Sequence, residues 1–207
     1  MAALRLSRSE LALYAGVMLI VAALVVPGWL QWNRLNRLEM ARLDIGDLIS
    51  ACRRFHAEYK RWPTGRTTDY GDTRFGLDIP NQQVMNVLRD VDGVGNPEHS
   101  VNTNRVVYFK AQPAGPGQSG LDKSGEFVDP WGKPYQIVLD TDQSGLCNIE
   151  NSIYGDLIAG GVLSWSGGPD RKLETPDDIL SWKLSTLRFH IQDEPRFKPA
   201  TNAAVRY

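Results

Sequence analysis

The chain has 207 residues, 42% hydrophobic and 23% charged, with a formal net charge of −1. That length allows one domain with an extension, and the near-neutral balance excludes broad electrostatic attraction to nucleic acid, so no nucleic-acid partner is expected. Twelve prolines and nineteen glycines point away from a helical bundle and towards a loop-rich domain.

From Leu11 to Leu30 the chain reads LALYAGVMLIVAALVVPGWL, without a charge. As a helix this run spans about 30 Å, the thickness of a bilayer's hydrocarbon core. Pro27 and Gly28 are tolerated in membrane helices. The run exceeds the apolar stretch of a cleaved signal peptide, and no small-x-small site follows it before QWNRLNR. It is therefore expected to stay as an anchor. Arg5 and Arg8 precede it and Arg34, Arg37 and Arg42 follow, so charge barely orients it. A short head inside and the bulk of the chain outside is the expected arrangement.

Helical patterning continues past the apolar run. Leu35, Leu38, Ile45, Leu48, Cys52, Phe55 and Tyr59 recur at spacings of mostly three and four, with charged residues between them, until Trp62-Pro63-Thr64-Gly65 stops the pattern. The two segments together predict one helix from residue 10 to residue 61, about 75 Å long. A small domain cannot cover such a helix. Its first half belongs in lipid or against neighbouring copies, and its second half can carry the core.

Residues 66–79 read as loop, and PNQQVMNVLRDVDG as a short helix from Pro80, with Val84, Val87, Leu88 and Val91 on one face. RVVYFKA (105–111) has the length and composition of a strand. EFVDPWGKPYQIVLD (126–140) predicts a tight turn at Pro130-Trp131-Gly132, then a strand through Tyr135, Ile137 and Leu139. DTDQSG (140–145) begins like a calcium loop, but Asn151 stands at its twelfth place and no helix pair flanks it, so it reads as a polar hairpin turn. LIAGGVLSWSG (157–167) predicts one more strand, weakened by Gly160 and Gly161. Trp131, Tyr135 and Trp165 supply core surface. The expected fold class is α+β: a long N-terminal helix, transmembrane then amphipathic, packed on a small antiparallel sheet. Cys52 and Cys147 lack metal-ligand spacing, and a disulfide or two buried thiols both remain open.

The segment WSGGPDRKLETPDDILSW (165–182) gathers Asp170, Glu174, Asp177 and Asp178 around a turn, with Ser164 and Ser166 close by. A hard cation such as calcium takes about six to eight oxygens from carboxylates, carbonyls and water. A loop that brings Asp170 to Asp177 or Asp178 supplies them. Two other readings stand beside it. Arg171 and Lys172 can neutralise the acids, and Asp177-Asp178 can cap a short helix, ILSW. Catalytic patterns are lacking: His56, His99 and His190 belong to no common motif, and no G-x-S-x-G surrounds a serine. A non-enzymatic protein is expected.

Glu10 opens the apolar run, Pro27 follows it seventeen residues later, DPWGKPY lies mid-chain, and W-S-G-G-P-D…D-D-I-L-S-W closes the set. In these features the chain resembles the type IV pilin-like proteins, most closely the pseudopilins of type II secretion systems and in particular the major, G-type pseudopilin. The resemblance covers residues 5–64 and 126–183, and 66–125 fits loosely. It implies a pilin-like fold and a calcium ion in the acidic loop, with Asp170 and Asp178 as principal ligands. Ser166, the Gly167 carbonyl and Asp177 are the further ligands it suggests. It implies that Glu10 pairs with the free amine of an adjacent subunit during assembly; a simpler reading of the residues sets Glu10 at the membrane interface beside Arg8, with no partner copy. By the resemblance the chain's partners would be copies of itself, other pilin-like subunits and an inner-membrane secretion platform. The location would be the bacterial inner membrane, single-pass, with the C-terminal domain on the periplasmic side. Arg5 stands where the family's leader ends in glycine, and Leu6 where phenylalanine is usual, so efficient leader cleavage is not expected. The resulting division is a head or leader-like segment (1–10), a transmembrane helix half (11–30), a periplasmic domain (31–183) including the amphipathic helix 31–61, and a C-terminal extension (184–207). The alternative is an uncleaved, monomeric, membrane-tethered periplasmic adaptor or binding module with the same fold.

Overall fold

Helix α1 (Arg8–Tyr59) dominates the molecule, and its two halves meet different surroundings. In the computed structural model the described residues are 8–65, 72–77, 79–149 and 152–184, with side chains described from Leu13 onward. Beyond residue 40 the helix turns one stripe inward: Ala41, Ile45, Leu48, Cys52 and Phe55 are buried. Leu38 and Tyr59 extend that stripe as partly buried neighbours, whereas Leu35 remains exposed. The observed ends differ from the expected ones by two residues, the ordinary fraying of helix termini.

The strands are β1 (Thr73–Phe75), β2 (Gly120–Leu121), β3 (Phe127–Val128), β4 (Gln136–Leu139), β5 (Leu146–Asn148), β6 (Leu157–Ala159), β7 (Val162–Ser166) and β8 (Ile179–Leu180). A four-stranded antiparallel sheet runs β1-β4-β7-β8, and β2-β3 and β5-β6 form two-stranded sheets beside it. All four residues of β4 are buried, because the large sheet is the middle layer. Ile137, Leu139, Val162 and Ile179 join the α1 core on one face. Val138, Leu163, Trp165 and Leu180 join Cys147 and Ile149 in a second core on the other. Strand alternation produces this two-sided burial directly. The fold is α+β and pilin-like: a long N-terminal apolar helix packed on a small antiparallel sheet.

Four elements depart from the sequence expectations. RVVYFKA forms no strand. The Asn102 side chain takes the Val106 N–H (3.2 Å) and donates to the Val106 carbonyl (2.8 Å). The Tyr108 and Phe109 N–H groups both donate to the Leu88 carbonyl, and Arg54 donates to the Tyr108 carbonyl (2.6 Å). With these backbone groups already paired, the segment joins no ladder. LIAGGVLSWSG is two strands in two different sheets. Gly160 has φ +148°, and a Cβ on Gly161 would lie 2.3 Å from the Trp62 ring, which itself stacks on His56 at 4.2 Å. The chain bends there, under an aromatic lid that only glycine admits. Finally, β1 lies within a stretch expected to be loop, and helix α2 (Gln82–Leu88) is shorter than its pattern.

The turn after β3 matches its reading. Gly132 has φ +82°, its N–H donates to the Asp129 carbonyl, and the Trp131 and Lys133 N–H groups donate to Asp129 Oδ1 (both 2.9 Å). Tyr135 and Trp165 are core residues and Trp131 packs partly buried against the core. Cys52 and Cys147 are free, each buried in a different core, and burial pushes both thiols up to about 12.

Candidate metal centre

The loop between β7 and β8 brings three acids together. Each of Asp170, Asp177 and Asp178 places a carboxylate oxygen within 4.8 Å of the other two. The loop folds back because Gly168 (φ +64°) carries no Cβ, which would lie 2.4 Å from the Asp177 carbonyl. Arg171 and Glu174 also take positive φ, 63° and 66°, so the turn is strained as well as tight. Backbone N–H groups then hold the acids: Asp170 to Asp177 Oδ2 (3.1 Å), Lys172 to Asp170 Oδ1 (2.8 Å) and Glu174 to Asp178 Oδ2 (2.9 Å).

Two hydroxyls complete the arrangement. Thr175 Oγ1 lies 2.8 Å from both Asp177 Oδ1 and Asp178 Oδ1, and the Tyr154 hydroxyl donates to Asp178 from the β5–β6 connection. The same Tyr154 oxygen accepts the Glu174 N–H at 2.9 Å. Burial, followed by the Asp178 contact, raises the Tyr154 hydroxyl above its ordinary pKa. At Asp177 desolvation acts to raise the pKa, but the Thr175 and Asp170 hydrogen bonds outweigh it and hold the carboxyl below its usual value. Arg34, midway along α1, adds a smaller pull in the same direction.

Among the described residues Arg171 and Lys172 form no ion pair, the ion pairs there being Arg42–Glu39, His99–Asp90 and Arg105–Asp90. ILSW is not a helix: Ile179–Leu180 is strand β8, and a helical turn covers 181–184. Ser166 has partners of its own. Its hydroxyl donates to Asp129 Oδ2 (2.6 Å) and accepts the Gly168 N–H (3.1 Å) inside the core. Gly167 packs against the Lys172 backbone, where a Cβ would meet the Lys172 carbonyl at 2.8 Å. Glu10 lies in the first turns of α1, and its side chain lies outside the described residues, as do Arg5, Leu6 and the extension beyond Leu184.

The donor set suits a divalent cation. Oxygens on opposite sides of a calcium ion stand about 4.6–5.2 Å apart, twice the metal–oxygen distance, and these carboxylates converge within that span. A second group, Asp72, Asp140 and Asp142, satisfies the same spacing where β1 meets the β4–β5 turn. Backbone N–H groups hold it as they hold the first: Ser144 and Gly145 donate to Asp140 (both 2.9 Å), Ser144 to Asp142 (2.9 Å), and Thr141 and Asn148 to Asp72 (3.1 and 2.5 Å). That is the bonding of a hairpin turn. The sequence reading missed Thr175, which stands inside the acidic loop itself, and Tyr154 and Asp72, which the packing of distant loops brings to Asp178 and to Asp140 and Asp142 respectively. No protein-family model matches the chain, and neither a curated protein nor a solved structure matches it.

Proposed function

We propose that the protein is a membrane-anchored, pseudopilin-like structural subunit, without enzymatic activity, of a type II secretion pseudopilus in the bacterial inner membrane. One observation carries the reading. Helix α1 exposes Leu13 (67%), Met18 (67%) and Leu24 (75%) at one end and fully buries Leu48 and Phe55 at the other. An unbroken helix that is apolar and bare over 13–30, then forms the core of a sheeted domain, serves two surroundings at once. In the proposal residues 1–10 stay in the cytoplasm, 11–30 span the bilayer, 31–183 form the periplasmic domain and 184–207 extend it. Side-by-side packing of α1 with copies and other pilin-like subunits builds a short filament on an inner-membrane platform, with Glu10 as the assembly residue. A calcium ion held by Asp170 and Asp178, with Asp177, would supply the charge that ties the β7–β8 loop to the Tyr154 hairpin.

Cross-linking tests the assembly. Cys52 and Cys147 are both buried, so Val25→Cys introduces a single accessible thiol in native membranes. Oxidation should join full-length chains into dimers through that position. Monomers alone would favour the second reading, an uncleaved membrane-tethered adaptor, which Arg5 at the expected leader site supports.

A further inference from the structure

The β5–β6 hairpin is attached to the second core by one face only. Cys147 and Ile158 point inward, whereas Leu146 (40%) and Leu157 (60%) are exposed, as is Ile153 (65%) at the tip. Cross-strand partners share a face, so Leu146, Leu157 and Ala159 form one outward apolar surface. Its edges differ. The Ile149 N–H donates to Asp156 (2.8 Å) and the Gly160 N–H to Gly145 (3.0 Å), which makes Cys147–Ile158 the hydrogen-bonded pair between them. The backbone groups of Leu146 and Asn148 therefore point away from β6, and those of Leu157 and Ala159 away from β5. On the β5 side, Asp72 takes the Asn148 N–H, while the Ser144 hydroxyl accepts from the Leu146 N–H and donates to its carbonyl. On the β6 side, Leu157 and Ala159 have no hydrogen-bond partner among the described residues for these outward groups. An apolar strand edge of this kind is a template for another strand.

The end of the described chain lies near the connection that leads into β6. The Trp182 ring meets Tyr154, in the β5–β6 connection, edge-on at 5.8 Å. From Trp182 two steps remain in the helical turn and three more, extended, lead to Leu187, a reach of about 13 Å, and the three from Tyr154 to Leu157 span about 10 Å. At that point the sequence alternates: Leu187, Phe189 and Ile191 are separated by Arg188 and His190. We propose that residues 187–191 of this chain dock as a third strand on β6, with Leu187, Phe189 and Ile191 on the face of Leu157 and Ala159. The added strand closes the open edge and covers Leu157 laterally with apolar side chains.

Disulfide trapping in the full-length chain tests it. Ala159→Cys combined with Leu187→Cys, Phe189→Cys or Ile191→Cys should give an intrachain disulfide in at least one pairing, mapped by peptide mass on the monomer band. Pairing with Arg188→Cys or His190→Cys should be weaker, because those positions face the other side. In a separate measurement, Phe189→Asp should speed amide exchange at Leu157 and Ala159 by about tenfold or more and leave β7 unchanged. Disulfides found only between two chains would show copies pairing at this edge and overturn the proposal. So would exchange at β6 that Phe189→Asp leaves unmoved.

Discussion

Asn81 does at residue scale what a strand would do at element scale. Its fully buried amide donates to the Phe127 and Tyr135 carbonyls (both 2.9 Å) and accepts the Phe127 N–H (2.8 Å), joining β3 to the start of β4. Asn81→Ala leaves a buried N–H and two carbonyl lone pairs without this partner, and chemical denaturation should record a loss of about 3 kcal/mol. Hydrophobic spacing located the helix stripe and the core aromatics, but it is blind to such amides, whose value depends on which backbone they meet. Asp44 carries a second consequence. It accepts the Tyr135 hydroxyl (2.8 Å) at the helix–sheet interface, and burial raises its pKa despite that bond. A raised carboxyl takes its proton in the folded state before the unfolded one. Its ionisation therefore weakens the fold above its folded pKa, and that loss is recovered as pH falls towards the ordinary carboxylate value near about 4. Asp44→Asn should flatten this part of the stability–pH curve between neutral pH and that value. An unchanged curve would count against the burial argument.

At the scale of elements, the regular helix and the DPWG turn were legible because their signals are local: a 3.6-residue stripe, and a proline and glycine at fixed turn positions. The strands were less so. RVVYFKA has strand composition, but its hydrogen bonds go to Asn102, Leu88 and Arg54. The Gly160-Gly161 pair reads as a weak strand start until Trp62 is seen lying over it. The acidic loop is an intermediate case. Its aspartates announced a cluster, and Asp170, Asp177 and Asp178 do converge. Nothing in the spacing announced Tyr154, which reaches Asp178 from the β5–β6 connection, or the bond from Ser166 to Asp129. If calcium binds only the folded loop, stability rises by linkage, about 2.7 kcal/mol at a hundredfold excess over Kd. The full-length chain in detergent should therefore melt higher in calcium than in EDTA, with magnesium a poor substitute. Asp178→Ala should erase most of the difference, since it removes an acid that also anchors Tyr154. Equal melting in calcium and EDTA, with no calcium uptake by calorimetry, would leave the hydrogen-bonded loop as a self-sufficient turn.

At the scale of the whole molecule the account rests on α1. A helix exposing Leu13, Met18 and Leu24 in water would forfeit the transfer free energy of each side chain, roughly 2 kcal/mol apiece, and none of the three is covered among the described residues. In lipid the same residues are in their preferred solvent, and Pro27 is tolerated within the helix. Beyond residue 40 one stripe of the same helix is buried in the domain's core, so separating the domain from the apolar half requires a cut within α1. Alkaline extraction of membranes, followed by intact-mass measurement of the retained chain, tests this directly. The account predicts a membrane-retained chain that keeps residues 11–30. A soluble domain beginning after Trp32, released by the extraction, would contradict it.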